Sequence, residues 1–288
     1  MEPDSLPTVF HASKSHGRGG RARLLGMALL AVALLVAVGL AGRALAPVAM
    51  ATDFSAKMLA PSPAHPFGTD QMGRDMLARV LAGLSTSLMV GAIASLATAA
   101  IALVLALASA YGGRAVDALV LWLIDLVMGV PHIVLLLLIS YALGRGLWGV
   151  AVGMALTHWP GLARVLRAEL MQARREPYLE ASEALGVSRM CMAMRHLLPA
   201  IAPQLIVGTV LSFPHAVLHE ASITFLGFGL PPDEPAIGVI LAESMGYLTT
   251  GAWWLAVLPG AVLVACVLLL DALGSSLRRV LDARTSQE

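Results

Sequence analysis

Six long apolar segments dominate this chain and restrict its possible folds more than any other feature. A run of about 20 apolar residues is long enough to cross the hydrocarbon core of a bilayer as a helix. Helices also satisfy their own backbone hydrogen bonds, as a chain crossing lipid must. The sequence therefore predicts an all-α polytopic membrane protein with about six transmembrane helices. The segments lie at about 24–42, 85–110, 116–140, 147–163, 200–222 and 253–273.

Composition agrees with a location in the bilayer. Hydrophobic residues make up 58% of the chain, charged residues make up 13%, and the mean hydropathy is +0.80. Soluble domains carry about twice that proportion of charged residues. The chain has two cysteines, Cys191 and Cys266, which fall in different segments, and we expect no disulfide between them.

Basic residues are divided unevenly between the two sides that six spans define. With the N-terminus inside, fourteen of the nineteen lysines and arginines fall on the inner side. An excess of basic residues marks the cytoplasmic side of a membrane protein. We therefore expect both termini in the cytosol, together with the charged segment that ends at Pro199. The five basic residues on the outer side are Arg43, Lys57, Arg74, Arg79 and Arg145.

That charged segment carries the most specific motif in the chain. From Glu180 to Pro199 it reads E-A-S-E-A-L-G-V-S-R-M-C-M-A-M-R-H-L-L-P. It resembles the EAA loop of bacterial ABC-importer permeases, whose pattern is E-A-A, three residues, Gly, nine residues, Ile, one residue and Leu-Pro. Ser182 stands in place of the second Ala and His196 in place of the Ile. The residues in register are Glu180, Ala181, Gly186, Leu198 and Pro199.

The same segment predicts two short helices on physical grounds alone. Pro177 suits the first turn of a helix, where its missing N–H leaves no hydrogen bond unmade. Gly186 is suited to the left-handed conformation that ends many helices. Ser188 can cap a second helix that runs to a break before Pro199. An ordinary cytoplasmic helical hairpin is the simpler alternative to a docking element.

A second stretch places the chain in a branch of that family. Residues His65 to Asp75 read H-P-F-G-T-D-Q-M-G-R-D and resemble the H-P-x-G-T-D-x-x-G-R-D stretch of the peptide and nickel permeases. Phe225 to Gly229 resembles the S-F-L-G-x-G motif of the same branch, and the likeness covers about residues 65–282. We expect Thr69 and Asp70 to cap a short helix leading to Arg79. Trp122, Ile237, Arg279 and Ala283 depart from the branch's usual residues.

The resemblance implies the permease subunit of an ATP-driven importer with a type I ABC-importer bundle, in a bacterial cytoplasmic (inner) membrane. It implies a homologous second permease, one or two ABC ATPase subunits and an extracytoplasmic substrate-binding protein as partners, and no nucleic acid. The chain has no G-x-x-x-x-G-K-[ST] loop, so we expect no cofactor in it, with ATP and Mg bound by the partner ATPase. The resemblance assigns ATPase coupling to Glu180, Ala181, Ser182, Gly186, Leu198 and Pro199.

Histidines in the apolar segments are the candidates for substrate contact, because ionisable groups within spans are costly and usually functional. His215 and His219 lie four residues apart after Pro214 and share a helical face, and Glu220 follows. His158 lies in the fourth segment, and the nickel permeases resemble the chain at these three histidines. We assign His158, His215, His219 and Glu220 to the substrate pathway, with His215 and His219 as transient metal ligands.

The sequence leaves the substrate open. The histidines favour nickel, or another metal delivered as a chelate, over di- or oligopeptides. A more distant alternative is a polytopic membrane metalloenzyme using His215, His219 and Glu220, although no third ligand or general base is evident. His132, beside Pro131, is interpreted as structural. Asp125 is either a proton relay or a carboxylate satisfied by a neighbouring helix.

The predicted organisation is simple. Residues 1–20 form a disordered cytoplasmic tail, 21–43 the first transmembrane helix and 44–83 an extracytoplasmic loop. Residues 84–280 form the transport core with a cytoplasmic coupling loop at 174–199, and 281–288 form a C-terminal tail. Ala49-Met50-Ala51 also suits cleavage of a signal peptide, but the nineteen-residue apolar run favours an uncleaved first helix.

Overall fold

The computed structural model describes residues 18–285, and within them it is a bundle of α-helices. Residues 1–17 of the predicted tail at 1–20 lie outside the described residues. The last three residues of that predicted tail already belong to a helix, which begins at Arg18. The helices are α1 (Arg18–Met50), α2 (Met76–Tyr111), α3 (Gly113–Met128), α4 (His132–Ala142), α5 (Leu147–Ala173), α6 (Pro177–Ala184), α7 (Arg189–Met192), α8 (Leu198–Phe225), α9 (Ile237–Met245) and α10 (Trp254–Thr285).

Helix α2 is the central element of the bundle. It is 36 residues long and packs against α1, α5 and α8, while α10 packs against α8 and α1. Its buried positions are rich in small residues, including Ala82, Gly83 and Gly91. Small residues allow helices to approach closely in a membrane, where dispersion contacts rather than water exclusion hold helices together.

Length and apolar content select four of the described helices as candidate spans. They are α1, α2, the continuous stretch from α7 to α8, and α10. Helices α3 and α4 pass the same test together but meet at 94°, so they form either a broken span or a re-entrant loop. The predicted span at 116–140 is thus interrupted at Pro131, which cannot continue a helix from the preceding turn.

The predicted fourth span corresponds to α5, which is 27 residues long but is not selected by its apolar content. Its second half carries Arg164, Arg167 and Glu169, which explains the lower hydropathy. Arg167 pairs with Asp117 of α3 at 2.6 Å, and Arg164 pairs with Asp125 at 3.0 Å. The six predicted segments therefore all lie on helices, of which four or five meet the criteria for spans in the described part of the chain.

The connection between α1 and α2 covers residues 51–75, within the predicted loop at 44–83. Asp75, rather than Thr69 or Asp70, caps α2 by accepting a hydrogen bond from the backbone N–H of Ala78 at 2.9 Å. Asp70 instead forms ion pairs with Arg74 at 2.6 Å and Arg79 at 2.7 Å. The expected cap was wrong because one carboxylate oxygen of Asp70 binds the two guanidinium groups, while the other accepts from the backbone N–H groups of Met72 and Arg74 before α2 begins.

Candidate functional site

A cleft of about 670 Å³ opens where the α3–α4 pair is broken. The broken segment supplies one wall, from Val127 to His132. Helix α5 supplies Thr157 and His158, and α8 supplies Ser212, His215 and His219. The cleft is therefore bordered by three helices that are distant in sequence, and the sharp turn at Pro131 is what brings α4 to its edge.

Three imidazoles from three different helices meet at this cleft. The ring centroids of His132 and His158 lie 4.4 Å apart, those of His132 and His219 lie 4.7 Å apart, and those of His158 and His219 lie 5.0 Å apart. One ring nitrogen of each lies within 4.8 Å of one ring nitrogen of each of the others. All three side chains are half-buried.

Backbone carbonyls fix the orientation of two of these rings. The Nδ1 of His158 lies 2.9 Å from the carbonyl oxygen of Met154, and the Nδ1 of His219 lies 2.8 Å from that of His215. A carbonyl oxygen only accepts hydrogen bonds, so each Nδ1 carries the proton and each Nε2 carries the lone pair. The Nε2 of His132 is buried and has no hydrogen-bond partner among the residues that the structure describes.

The other two residues assigned to the pathway lie elsewhere. His215 lines the cleft and is exposed, but it is not among the three clustered histidines. Glu220 does not line the cleft; its side chain is fully buried and accepts a hydrogen bond from the hydroxyl of Thr224 at 2.9 Å. The helical turn that follows His219 rotates Glu220 away from the cleft, because consecutive residues of a helix do not share a face.

The segment after α5 forms the two short helices expected from its sequence. Helix α6 begins at Pro177, and Gly186 adopts a φ of +80° just beyond its end. The N–H of Val187 donates to the carbonyl oxygen of Ser182 at 3.1 Å, which is the long hydrogen bond of a Schellman motif. Ser188 then caps α7, since its hydroxyl accepts from the N–H of Cys191 at 3.3 Å.

The expected break before Pro199 is absent. A π-helical turn at Ala193–Leu197 joins α7 directly to α8, in whose first turn Pro199 lies. The N–H of Leu198, the first residue of α8, donates to the carbonyl oxygen of Ala193, so the helical hydrogen bonding continues up to the residue before this proline. The side chains of Glu180 and Ala181 lie outside the described residues, although their backbone belongs to α6.

Residues 174–199 correspond to the coupling loop that the sequence predicts. One of its faces rests on the bundle through Leu179 and Leu197, which are buried against α5 and α2. The same segment also exposes large apolar side chains, with Leu185 85% exposed, Met190 73% exposed and Met194 57% exposed. Exposed apolar side chains on the short helices between α5 and α8 are typical of a surface that binds another protein.

Sequence reasoning did not find His132 as a site residue. It sits at the first position of α4, and its proximity to His158 depends on the 94° turn between α3 and α4. The available signal was the Gly129-Val130-Pro131 sequence immediately before it, which favours a break. Asp125 lies on α3 and pairs with Arg164 of α5, so a neighbouring helix satisfies its carboxylate.

Comparison with known proteins gives consistent results. The model of the family described as "Binding-protein-dependent transport system inner membrane component" matches residues 100–287. A protein of Brucella suis provisionally named a peptide transport system permease is 34% identical over 287 residues, which cover 98% of this chain and 94% of that protein. The dipeptide transport system permease protein of Bacillus subtilis is 27% identical over 98% of this chain and 89% of its own length.

A solved structure shares the fold. The crystal structure of an amino acid ABC transporter with histidines aligns with a TM-score of 0.55 at 20% identity. The alignment covers 70% of this chain and 94% of that one. At this identity the likeness concerns the arrangement of helices and not the cargo, and it assigns the bundle to the type I permease fold.

Proposed function

The chain belongs to the family of inner-membrane components of binding-protein-dependent transport systems, and from this premise we propose that it is one permease subunit of a peptide importer. It is a multi-pass membrane transport subunit of the dipeptide, oligopeptide and nickel branch rather than an enzyme. The family works with ATPase and substrate-binding partners. The coupling loop, with its Schellman-ended α6 and exposed apolar face, is the observation that carries the proposal.

The names of relatives favour peptides over the metal that the histidines suggested. Both the Brucella suis and the Bacillus subtilis permeases are named for peptide or dipeptide transport. The peptide reading, which was the alternative in the sequence analysis, therefore becomes the first candidate. The cleft beside the α3–α4 break is mainly apolar along its broken wall and offers room for side chains of varied shape.

We further propose the composition of the complex. One bundle contributes one side of the transport pathway and one coupling loop. A related second permease supplies the other side of the pathway and the second coupling loop. One or two ATPase subunits, which bind ATP and Mg, dock on the two coupling loops from the cytosol, and an extracytoplasmic binding protein delivers the cargo. Dimerisation of the ATPases on binding ATP pushes the coupling loop, and the bundle rocks between outward-open and inward-open states.

The experiment uses the complex reconstituted in proteoliposomes with its binding protein. Radiolabelled dipeptides and oligopeptides should accumulate with ATP, and Leu185→Asp should abolish uptake and ATPase stimulation, because it places a charge in the apolar contact. Leu185→Met, which keeps the apolar surface, is the matched control and should retain both activities. Normal uptake by the Leu185→Asp complex would show that this face does not contact the ATPase.

A metal chelate is the second candidate cargo, because histidines line the cleft. The double variant His215→Ala and His219→Ala should then lower nickel uptake strongly, while assembly and basal ATP hydrolysis stay intact. Nickel accumulation that this variant does not change, together with peptide uptake that requires the subunit, would exclude the metal candidate.

A further inference from the structure

We propose that His132, His158 and His219 form a binding site for a divalent transition-metal ion in the cleft. Within the part of the chain that the structure describes, they are the one group of three or more histidine, cysteine or acidic side chains with converging ligand atoms. The bundle itself would hold this ion, whichever cargo the importer carries. It also differs from the pair expected from the sequence, since His132 and His158 replace His215.

The geometry suits metal binding after a small adjustment. Imidazole nitrogens bound to zinc lie about 2.0–2.1 Å from the metal, so those of a tetrahedral site are about 3.4 Å apart. The nitrogens in this cluster lie within 4.8 Å of one another. Side-chain rotation that moves each ring by on the order of 1 Å closes the difference, and the adjoining cleft leaves room for it.

The hydrogen bonds leave the Nε2 lone pairs of His158 and His219 free to bind a metal. Histidine ligands of metals commonly donate their other ring N–H to a carbonyl oxygen, which fixes the tautomer. The Nδ1 atoms of His158 and His219 do so towards Met154 and His215. The Nε2 of His158 lies 3.3 Å from the Nδ1 of His219, a long contact with an N–H already engaged by a carbonyl. A metal would replace that weak contact with a strong bond.

The unpartnered Nε2 of His132 supplies an independent observation. A buried nitrogen without a hydrogen bond costs free energy unless a ligand satisfies it. It belongs to the ring whose centroid lies 4.4 Å from His158 and 4.7 Å from His219. A bound ion would satisfy this nitrogen together with the other two.

The donor set selects the chemical class of ion. Three imidazoles suit borderline ions such as zinc, nickel, cobalt and copper, whereas magnesium and calcium prefer oxygen ligands. A site with three protein ligands leaves at least one coordination position open. His132, His158 and His219 all line the cleft, so water or an anionic group of a passing molecule can reach the ion there and complete its coordination.

The test measures metal binding by the full-length chain purified in lipid nanodiscs with a histidine-free affinity tag. His11 and His16 are changed to Ala in every sample, so that the N-terminal segment adds no ligands. Cobalt(II) is the probe because its absorption bands report tetrahedral nitrogen coordination, and zinc competition gives the affinity. We expect about one ion per chain and a higher unfolding temperature with zinc, because binding only the folded state stabilises it.

Variants identify the ligands. His132→Gln, His158→Gln and His219→Gln should each weaken zinc binding by at least about 100-fold, whereas His65→Gln should leave the affinity unchanged because His65 lies in the 51–75 connection. Size-exclusion profiles and helical circular dichroism establish that each variant is folded. Absence of stoichiometric binding by the wild-type chain would overturn the proposal. Equal loss with His215→Gln and no loss with His132→Gln would also overturn it, in favour of the pair on α8.

Peptide uptake is measured separately in the reconstituted complex. Metal binding with no peptide uptake would contradict the proposed cargo and leave the metal site standing. Peptide uptake without metal binding would contradict the metal site and leave the proposed cargo standing.

Discussion

At the scale of single residues, Gly186 connects sequence, conformation and function most directly. Gly186 lies between α6 and α7, and its φ of +80° is a left-handed conformation that ends α6. Among the described residues, no atom lies within 4 Å of a Cβ atom placed at this position, so within the chain the strain of a substitution comes from the backbone conformation. The sequence predicted this conformation, because glycine just beyond a short stretch of helix is a common C-terminal signal.

We therefore expect Gly186→Val to destabilise the turn by about 1–2 kcal/mol and to lower ATPase stimulation in the reconstituted complex. Asparagine tolerates the left-handed region better than other non-glycine residues, so Gly186→Asn is the matched control and should keep most of the activity. Equal loss in both variants would mean that the effect does not arise from the backbone conformation.

Ion pairs give a second prediction at this scale. Asp70 is 1% exposed and holds both Arg74 and Arg79, which also reach Glu243 at 3.2 and 2.8 Å. Asp70→Asn leaves Glu243 as the one carboxylate for two buried guanidinium groups in this network, and we expect the excess positive charge to lower the free energy of unfolding by about 3–5 kcal/mol. The sequence showed the motif but not the partner from α9, because 164 residues separate Arg79 from Glu243.

The matched control for this prediction is Asp125→Asn, which breaks an exposed pair. The side chains of Arg164 and Asp125 are 51% and 72% exposed, so the loss should stay below about 1 kcal/mol. Unfolding in detergent with increasing SDS measures both changes. Similar losses in the two variants would show that burial does not determine the strength of the Asp70 network.

At the scale of helices, the crossing of α1 and α2 is set by small residues. The hydroxyl of Ser85 donates to the carbonyl oxygen of Gly39 at 2.8 Å. A Cβ atom at Gly42 would overlap the carbonyl oxygen of Leu81 and lie 2.7 Å from the Cβ of Ser85. A Cβ atom at Gly39 would meet no atom of the described residues within 4 Å. Two glycines of the same helix thus differ completely in their surroundings.

We expect Gly42→Ala to force α1 and α2 apart and to cost about 1–3 kcal/mol of unfolding free energy. Gly39→Ala, less than one turn earlier, should be neutral or stabilise the helix by up to about 1 kcal/mol. SDS unfolding of both variants tests the prediction. A cost for Gly39→Ala as large as that for Gly42→Ala would contradict the crossing point described here.

The helices also show which structural features could be predicted from the sequence. Hydropathy located all six apolar segments, because the demand for about 20 apolar residues is strong and local. It did not reveal the 94° turn between α3 and α4, since a proline in an apolar run allows either a mild kink or a full break. The π-helical turn at Ala193–Leu197 was missed for a similar reason, as Pro199 is as compatible with a helix start as with a stop.

At the scale of the whole molecule, the cluster of His132, His158 and His219 shows what periodicity cannot supply. The pair His215 and His219 was visible as a four-residue spacing within one helix. The cluster joins α4, α5 and α8, and it depends on how those helices pack after the chain turns at Pro131. Sequence spacing within one segment therefore identified one of the three members, and the resemblance at His158 identified a second.

The orientation of the bundle provides the last prediction, because the proposed mechanism requires the coupling loop to lie in the cytosol. Fourteen of nineteen basic residues favour that side, and two of the outer five, Arg74 and Arg79, are neutralised by Asp70 and Glu243. Met190→Cys, at a position 73% exposed, and Phe54→Cys, at a position 66% exposed in the 51–75 connection, report the two sides. Both substitutions are made in a Cys191→Ser chain, because Cys191 is partly exposed and would react itself. Cys266 can stay because it is buried.

A membrane-impermeant maleimide should label the cysteine at position 54 in spheroplasts and the cysteine at position 190 only in inverted vesicles. The parent Cys191→Ser chain should remain unlabelled in both, and detergent-permeabilised membranes show that each position can react. Labelling of position 190 from outside the cell would place the coupling loop beyond the reach of a cytosolic ATPase, and mechanical coupling through Gly186 and the exposed Leu185 would then be impossible.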